Sequence, residues 1–270
     1  MTVPEAAPPM PTPETGRPWL DRPRRLAPFA GVGLALGAWW LAAATGHAGL
    51  FPGPGTVARA LAVQLARGTI YKHVVASLFR VTWGYLTAIA VATPLGLWLG
   101  WSRGAGRAVG PILQILRPIS PLAWIPLSIL WFGLGDRGAI FIIFLAASLP
   151  FTLVTMNAVR SVPRVYLRVA QNFGLSSFAL FRYVLLPAVA PRLVVGLRLS
   201  LGIAWLVVVA AEMLAVSSGL GFLIVDSRNA GNRLVLVIAG MLLIGVIGLG
   251  LDVAMRRLAR LPEVRWGYRE

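Results

Sequence analysis

Apolar residues run through this chain in long blocks separated by short polar gaps. The blocks lie at 26–45, 74–101, 109–132, 139–158, 193–215 and 234–255. A helix rises about 1.5 Å per residue, so ~20 residues cross the roughly 30 Å hydrocarbon core of a bilayer. The pattern therefore predicts an all-α polytopic membrane protein with about six transmembrane helices. Between the first two blocks, Phe51-Pro52-Gly53-Pro54-Gly55 is a turn cluster. Thr56 is then placed to cap a short helix over 57–67, whose apolar positions are interrupted by Arg59 and Gln64. The second block carries Arg80 and the breakers Pro94, Gly96 and Gly100, and the third is interrupted by Pro111, Pro118, Pro121 and Pro126. Residues 102–107 read as a loop, and Gly133 to Gly138 as a tight turn.

The ends differ from the middle. Residues 1–25 are polar and Pro-rich, and predict a disordered tail. The apolar run that follows is too long for the core of a signal peptide. Residues 256–270 form a basic, solvated tail, which leaves 26–255 as one transmembrane domain.

Composition sharpens the reading. Hydrophobic residues make up 57% of the 270 residues, charged residues 13%, and mean hydropathy is +0.77. A soluble enzyme or a soluble nucleic-acid binder could not cover so much apolar surface with so few charges. The net charge of +16 comes almost wholly from arginine, Lys72 being the one lysine. The arginines recur in the gaps between blocks rather than on one face, so nucleic acid is not implied. Six spans place both termini, the 102–107 gap and the 160–192 gap on one side, which then holds 16 basic residues against 6 on the other. That excess predicts cytoplasmic termini and a cytoplasmic 160–192 segment. Cysteine is absent, which removes disulfide and thiol chemistry.

Residues 160–192 are the largest polar interruption between spans. After Pro163, the positions of Val165, Leu167, Val169, Ala170 and Phe173 have helical spacing. Gly174 is placed as the glycine that ends this helix, and Ser176 as the cap of a second one reaching Tyr183. Pro187 and Pro191 are expected to stop that second helix before the fifth span. The apolar Leu175, Phe178, Leu180 and Phe181 need a covering surface, either another protein or the bilayer interface.

Here the chain resembles a family. Gly174, Val184 and Pro187 match the cytoplasmic "EAA" loop of binding-protein-dependent ABC importer permeases, whose core is called MetI-like. Further matches point to the sulfonate/nitrate/taurine branch. They are Arg117-Pro118-Ile119-Ser120-Pro121-Leu122-Ala123-Trp124-Ile125-Pro126-Leu127, Trp131-Phe132-Gly133-Leu134-Gly135-Asp136, Gly196-Leu197-Arg198 with Gly202-Ile203-Ala204-Trp205, and Ala211-Glu212 with Ser218-Gly219-Leu220-Gly221. The resemblance covers about 75–255.

It implies the permease subunit of an ATP-driven importer for a small anionic solute such as an aliphatic sulfonate, taurine or nitrate. It also implies a bacterial inner-membrane location and, as partners, a second permease copy, two ATPase subunits and an extracytoplasmic solute-binding protein. In the family the loop inserts a coupling helix into the ATPase. The corresponding residues here are Val169, Ala170, Gly174, Leu175, Ser176, Ser177 and Phe178, followed by Pro187. Where the family carries an acid six residues before the glycine, this chain has Arg168, which points to an acidic partner groove. The sequence has no G-x-x-x-x-G-K-[ST]. The chain is thus expected to bind no cofactor and to perform no catalysis, with ATP used by the partner.

Charges inside the spans are functional candidates, because an isolated one is costly there. Arg80, Arg117 and Arg198 are expected mostly in structural pairs or at interfaces. Glu212 is expected to have an arginine partner, with Arg80 the candidate, and Asp252 to pair with Arg256. Ser120, Trp124, Ser128, Arg198, Trp205 and Glu212 are candidates to line the solute pathway, since the proline-broken third span and the fifth span can expose backbone at membrane depth. Several tryptophans fall near block ends and suggest an interfacial belt. His47 and His73 stand apart and make no metal site. An ion-coupled secondary transporter is the alternative reading, and Glu212 is the acid it would require. An intramembrane enzyme ranks last, since no Ser/His or paired-carboxylate set lies within the spans.

Overall fold

A computed structural model describes residues 22–45, 52–231 and 233–259 of the chain. The chain divides into two compact units at Pro54–Gly55. In the first, α1 (Arg22–Thr45) is a helix, and the Trp39 indole N–H donates to the Pro52 carbonyl at 3.3 Å. Of the predicted tail, residues 22–25 are the first turn of α1 and 1–21 lie outside the described residues, as do His47 and 260–270.

The second unit is helical throughout its described residues. After α2 (Pro54–Ala66), a left-handed Gly68 (φ 75°) turns the chain into α3 (Thr69–Trp101). The first of these starts two residues before Thr56, which is therefore not its cap. The second starts five residues before the predicted block and runs unbroken through Pro94. The expected loop 102–107 is in fact helical. Ser102 is extended and its Oγ accepts the Ala105 N–H at 3.3 Å, which starts α4 (Arg103–Leu116) despite Gly104 and Gly106. Pro111 sits inside α4 without breaking it. The break comes at Pro118 to Ser120. A 3-10 turn (Pro121–Trp124) and α5 (Ile125–Phe132) follow at 88° to α4.

Gly133 (φ 74°) and Gly135 (φ 137°) then form the tight turn into α6 (Asp136–Arg160). Next come α7 (Arg164–Asn172), α8 (Ser177–Leu180), a π turn (Phe181–Leu185) and α9 (Leu186–Ala215). Pro187 and Pro191 do not stop the second helix of the long segment. Instead Ser177–Leu214 runs on as one 38-residue stretch. The π turn widens the backbone where the Pro187 ring would otherwise meet the carbonyl four residues earlier. The Gly- and Ser-rich gap after α9 contains an unpredicted helix, α10 (Leu220–Asn229), and α11 (Leu234–Ala259) closes the described fold.

The core forms where α3 lies on α6. Gly84, Ala88, Ala92, Gly96 and Gly100 recur every fourth residue along α3 and face Ile143, Ala147, Thr155 and Val159 of α6. A Cβ on Gly96 would stand 2.6 Å from the Thr155 Cβ and 2.8 Å from the Thr152 carbonyl oxygen. Small residues at this spacing let two helix backbones approach, the usual solution where lipid removes the hydrophobic drive between helices. Tyr85, Ala204, Trp205 and Val208 extend the core to α9. Large apolar side chains face outward instead, among them Phe79, Trp83, Leu86 and Trp98 on α3 and Val246 and Leu249 on α11. Such a surface suits lipid rather than water.

Four stretches are long and apolar enough to cross a membrane: α3, α6, Ser177–Leu214 and Leu234–Arg257. The bent pair of α4 with α5 is a fifth where the two cross as one broken span. The sixth predicted span is α1, whose described apolar stretch, Ala30–Thr45, is shorter than the ~20 residues a crossing needs.

Candidate functional site

The long segment after α6 is built from local signals. Arg164, Leu167 and Gln171 lie on one side of α7, and Val165, Val169 and Phe173 form an exposed stripe on another. Ala170 is buried. The helix ends in a Schellman motif: Leu175 N–H donates to the Ala170 carbonyl at 3.1 Å and Gly174 N–H to that of Gln171 at 2.9 Å. This geometry needs a left-handed residue between them, which Gly174 supplies at φ 72°. Ser176 Oγ accepts the Ala179 N–H at 3.3 Å and so caps α8.

The result is a rigid corner with its apolar side chains turned out. Phe173 is 80% exposed, Phe178 74% and Val165 64%. Arg168, Ser177 and Pro187 are also exposed, and Leu175 and Phe181 are half-buried. Leu180 is a correction: it is 3% exposed and already covered by its own chain.

The intramembrane charges meet at the other end of α6. Arg80 on α3 is buried. Its Nε–H donates to Asp136 Oδ1 at 2.8 Å, and one Nη donates to Glu212 Oε1 at 2.6 Å and to the Ser218 carbonyl at 2.7 Å. The other Nη donates to Ser218 Oγ at 2.6 Å. Glu212 is fully buried. Its Oε2 accepts from Ser77 Oγ at 2.8 Å and from the Gly221 N–H at 3.0 Å. Ser77 Oγ in turn accepts the Leu220 N–H at 2.9 Å, and His73 Nδ1 accepts the Gly219 N–H at 3.2 Å.

The motif Ser218-Gly219-Leu220-Gly221 thus folds onto the carboxylate. A Cβ at Gly219 (φ 111°) would collide with it, and one at Gly221 would meet the Val209 carbonyl oxygen. Every charge in the cluster has a partner, as burial in a low-dielectric interior requires.

The other candidate pathway residues are placed as follows. Ser120 is exposed and caps the 3-10 turn, and Trp124 is half-buried beside it. Arg198 is exposed and bound to Asp252 at 2.6 Å, and Arg256 also bonds Asp252. Ser128, Trp205 and Glu212 are buried within the chain. Ser128 Oγ donates to the Gly138 carbonyl at 3.0 Å, tying α5 to α6. The Trp205 indole N–H donates to the Ile244 carbonyl at 3.1 Å, over Gly248 of α11. The parts of Ser77, His73 and Asp136 in this cluster went unrecognised in the sequence, although Ser77 lies one turn before Arg80 on the same face. Among the described residues no group of His, Asp and Glu side chains could hold a metal.

The helical fold with its apolar, lipid-suited crossings is that of a multi-pass membrane protein. The chain belongs to the family of binding-protein-dependent transport system inner membrane components, whose profile matches residues 92–263. It is 36% identical over 194 residues to the taurine transport system permease protein TauC of Escherichia coli (strain K12), covering 71% of this chain and 70% of that one. It is 38% identical over 190 residues to the nitrate import permease protein NrtB of Leptolyngbya laminosa, covering 70% and 68%. Its fold is similar to a chain of the inward-facing MetNI methionine ABC transporter, with a TM-score of 0.63, 19% identity, and coverage of 71% of this chain and 94% of that one. The chain is the permease of an ABC importer, as its motifs indicated.

Proposed function

We propose that this permease carries a small anionic solute, an aliphatic sulfonate, taurine or nitrate, across the bacterial inner membrane. It works as one of two copies, fed by an extracytoplasmic solute-binding protein and driven by two ATPase subunits. Its termini and the α7–α8 corner are cytoplasmic, and nucleotide is bound and hydrolysed on the ATPase alone. Taurine and nitrate, named for two relatives, are both small anion-bearing solutes.

The observation that carries the reading is the corner itself. Val165, Val169, Phe173 and Phe178 stand exposed on helices that a Schellman turn and a serine cap hold in place. Covering a large apolar side chain contributes roughly 1.5–3 kcal/mol, so two phenylalanines suffice to anchor a docking contact. Their rigid mounting lets a push from the ATPase travel into α9 through the continuous Ser177–Leu214 helix. The secondary-transporter reading is disfavoured because Glu212, its required acid, is sealed by Arg80, Ser77 and Gly221.

The test is co-purification with the partner ATPase. Phe178→Asp is expected to abolish association while the permease stays monodisperse and helical. Undiminished association would sink the docking role.

A further inference from the structure

A cavity of about 640 Å³ opens where α3 passes into α4, between the last turn of α6 and the inner side of α7. Arg103 and Arg107 of α4, Arg160 of α6 and Arg164 of α7 line it, with Gln114 and Gln171. Arg160 is held in place: its guanidinium donates to the Leu99 carbonyl at 3.4 Å and lies against Gly106, where a Cβ would overlap it. None of the four arginines has an ion pair among the described residues, where such pairs involve Arg80, Arg198 and Arg256. The described residues supply few acids to change this. From Arg22 to Ala211 the one carboxylate is Asp136, and it is bound to Arg80 at the far end of α6. Four like charges around one cavity repel each other, and an anion between them would relieve that repulsion.

The depth of the cavity narrows the ligand. Two membrane-crossing helices, α3 and α6, end on it at Trp101 and Arg160, and Trp101 lines its mouth. Tryptophan with arginine at span ends marks the headgroup level of a bilayer. Arginine forks match phosphate oxygens in pairs. Basic pockets between membrane helices on the positively charged side receive acidic headgroups.

We propose that this cavity binds an anionic phosphate group, with an acidic phospholipid headgroup as the source its depth favours. Because Arg164, Leu167 and Gln171 wall the cavity while Val165, Val169 and Phe173 face outward, the bound anion braces α7 from behind. The site is independent of which solute is carried.

The test uses the full-length, delipidated permease in detergent at constant ionic strength. Its thermal midpoint is followed against short-chain phosphatidylglycerol, short-chain phosphatidylcholine and inorganic phosphate. Phosphatidylglycerol is expected to raise the midpoint saturably, and phosphatidylcholine to have no such effect. Arg103→Gln with Arg107→Gln should weaken apparent affinity roughly 10- to 30-fold, from about 1 kcal/mol per basic residue. Arg59→Gln with Arg67→Gln should leave it unchanged. Both cavity arginines of α4 are exposed, so the pair is expected to fold, and Arg164→Gln is an independent second variant.

A saturable shift with inorganic phosphate, lost in the same variants, would support the site and make a soluble anion the source. The proposal is overturned by any of three results: no saturable shift with either anionic probe, a shift the cavity variants retain, or an equal shift with phosphatidylcholine.

Discussion

The two ends of α6 solve opposite problems. At the Asp136 end, Arg80 and Glu212 are buried and every polar atom named there finds its partner within the chain. At the Arg160 end, about 36 Å away along the helix axis, the arginines have no acid partner and the apolar stripe of α7 no cover among the described residues. The first end is complete in one chain, whereas the second, on the proposed function, is completed from outside. Substitutions at the first should therefore damage the fold, and substitutions at the second should spare the fold and damage assembly.

The largest effect is expected at the closed end. Arg80→Ala or Glu212→Ala leaves a buried charge without its partner, a loss of about 3–5 kcal/mol. Thermal unfolding in detergent should show either variant strongly destabilised, with the double variant losing less than the sum. Simple additivity would mean that the pair is not coupled. Gly219→Ala comes next. A side chain there is strained at φ 111° and presses on the Glu212 carboxylate, so the loss should be at least ~1–3 kcal/mol by the same measurement.

The open end should respond differently. Gly174→Ala strains the left-handed turn by about 1 kcal/mol. Its midpoint should fall by only a few degrees, yet ATPase association should drop sharply because the corner is no longer fixed. The smallest effect is expected at Arg168. Arg168→Glu should leave the midpoint unchanged and slow association with the ATPase most at low salt, as a rim charge facing an acidic groove would. Faster association would reverse the sign of that groove.

The same contrast separates what the amino-acid pattern revealed from what it hid. Local signals at the open end were legible: the spacing of Val165, Val169 and Phe173, the terminating Gly174 and the capping Ser176 all depend on neighbours within a few residues. The closed end was half legible. Glu212 demanded a cation and Arg80 was the available one, but Asp136 lies 56 residues from Arg80, and no periodicity reports a contact at that separation. Helix boundaries failed where a local rule was overridden. Pro187 reads as a stop, yet a π turn carries the helix past it. Gly104 and Gly106 read as loop, yet Ser102 starts a helix and Gly106 is the residue that leaves room for the Arg160 guanidinium. The bond from Trp205 to Ile244 joins α9 to α11 across 39 residues, a separation no local pattern reports.

The central claim is that this chain moves its solute only when a separate ATPase presses on the α7–α8 corner. Solute uptake by proteoliposomes containing the full-length permease, its binding protein and the candidate anions tests it most directly. The account predicts accumulation when the ATPase and ATP are both supplied, and none when either is withheld. Concentrative uptake by the permease without the ATPase would contradict it.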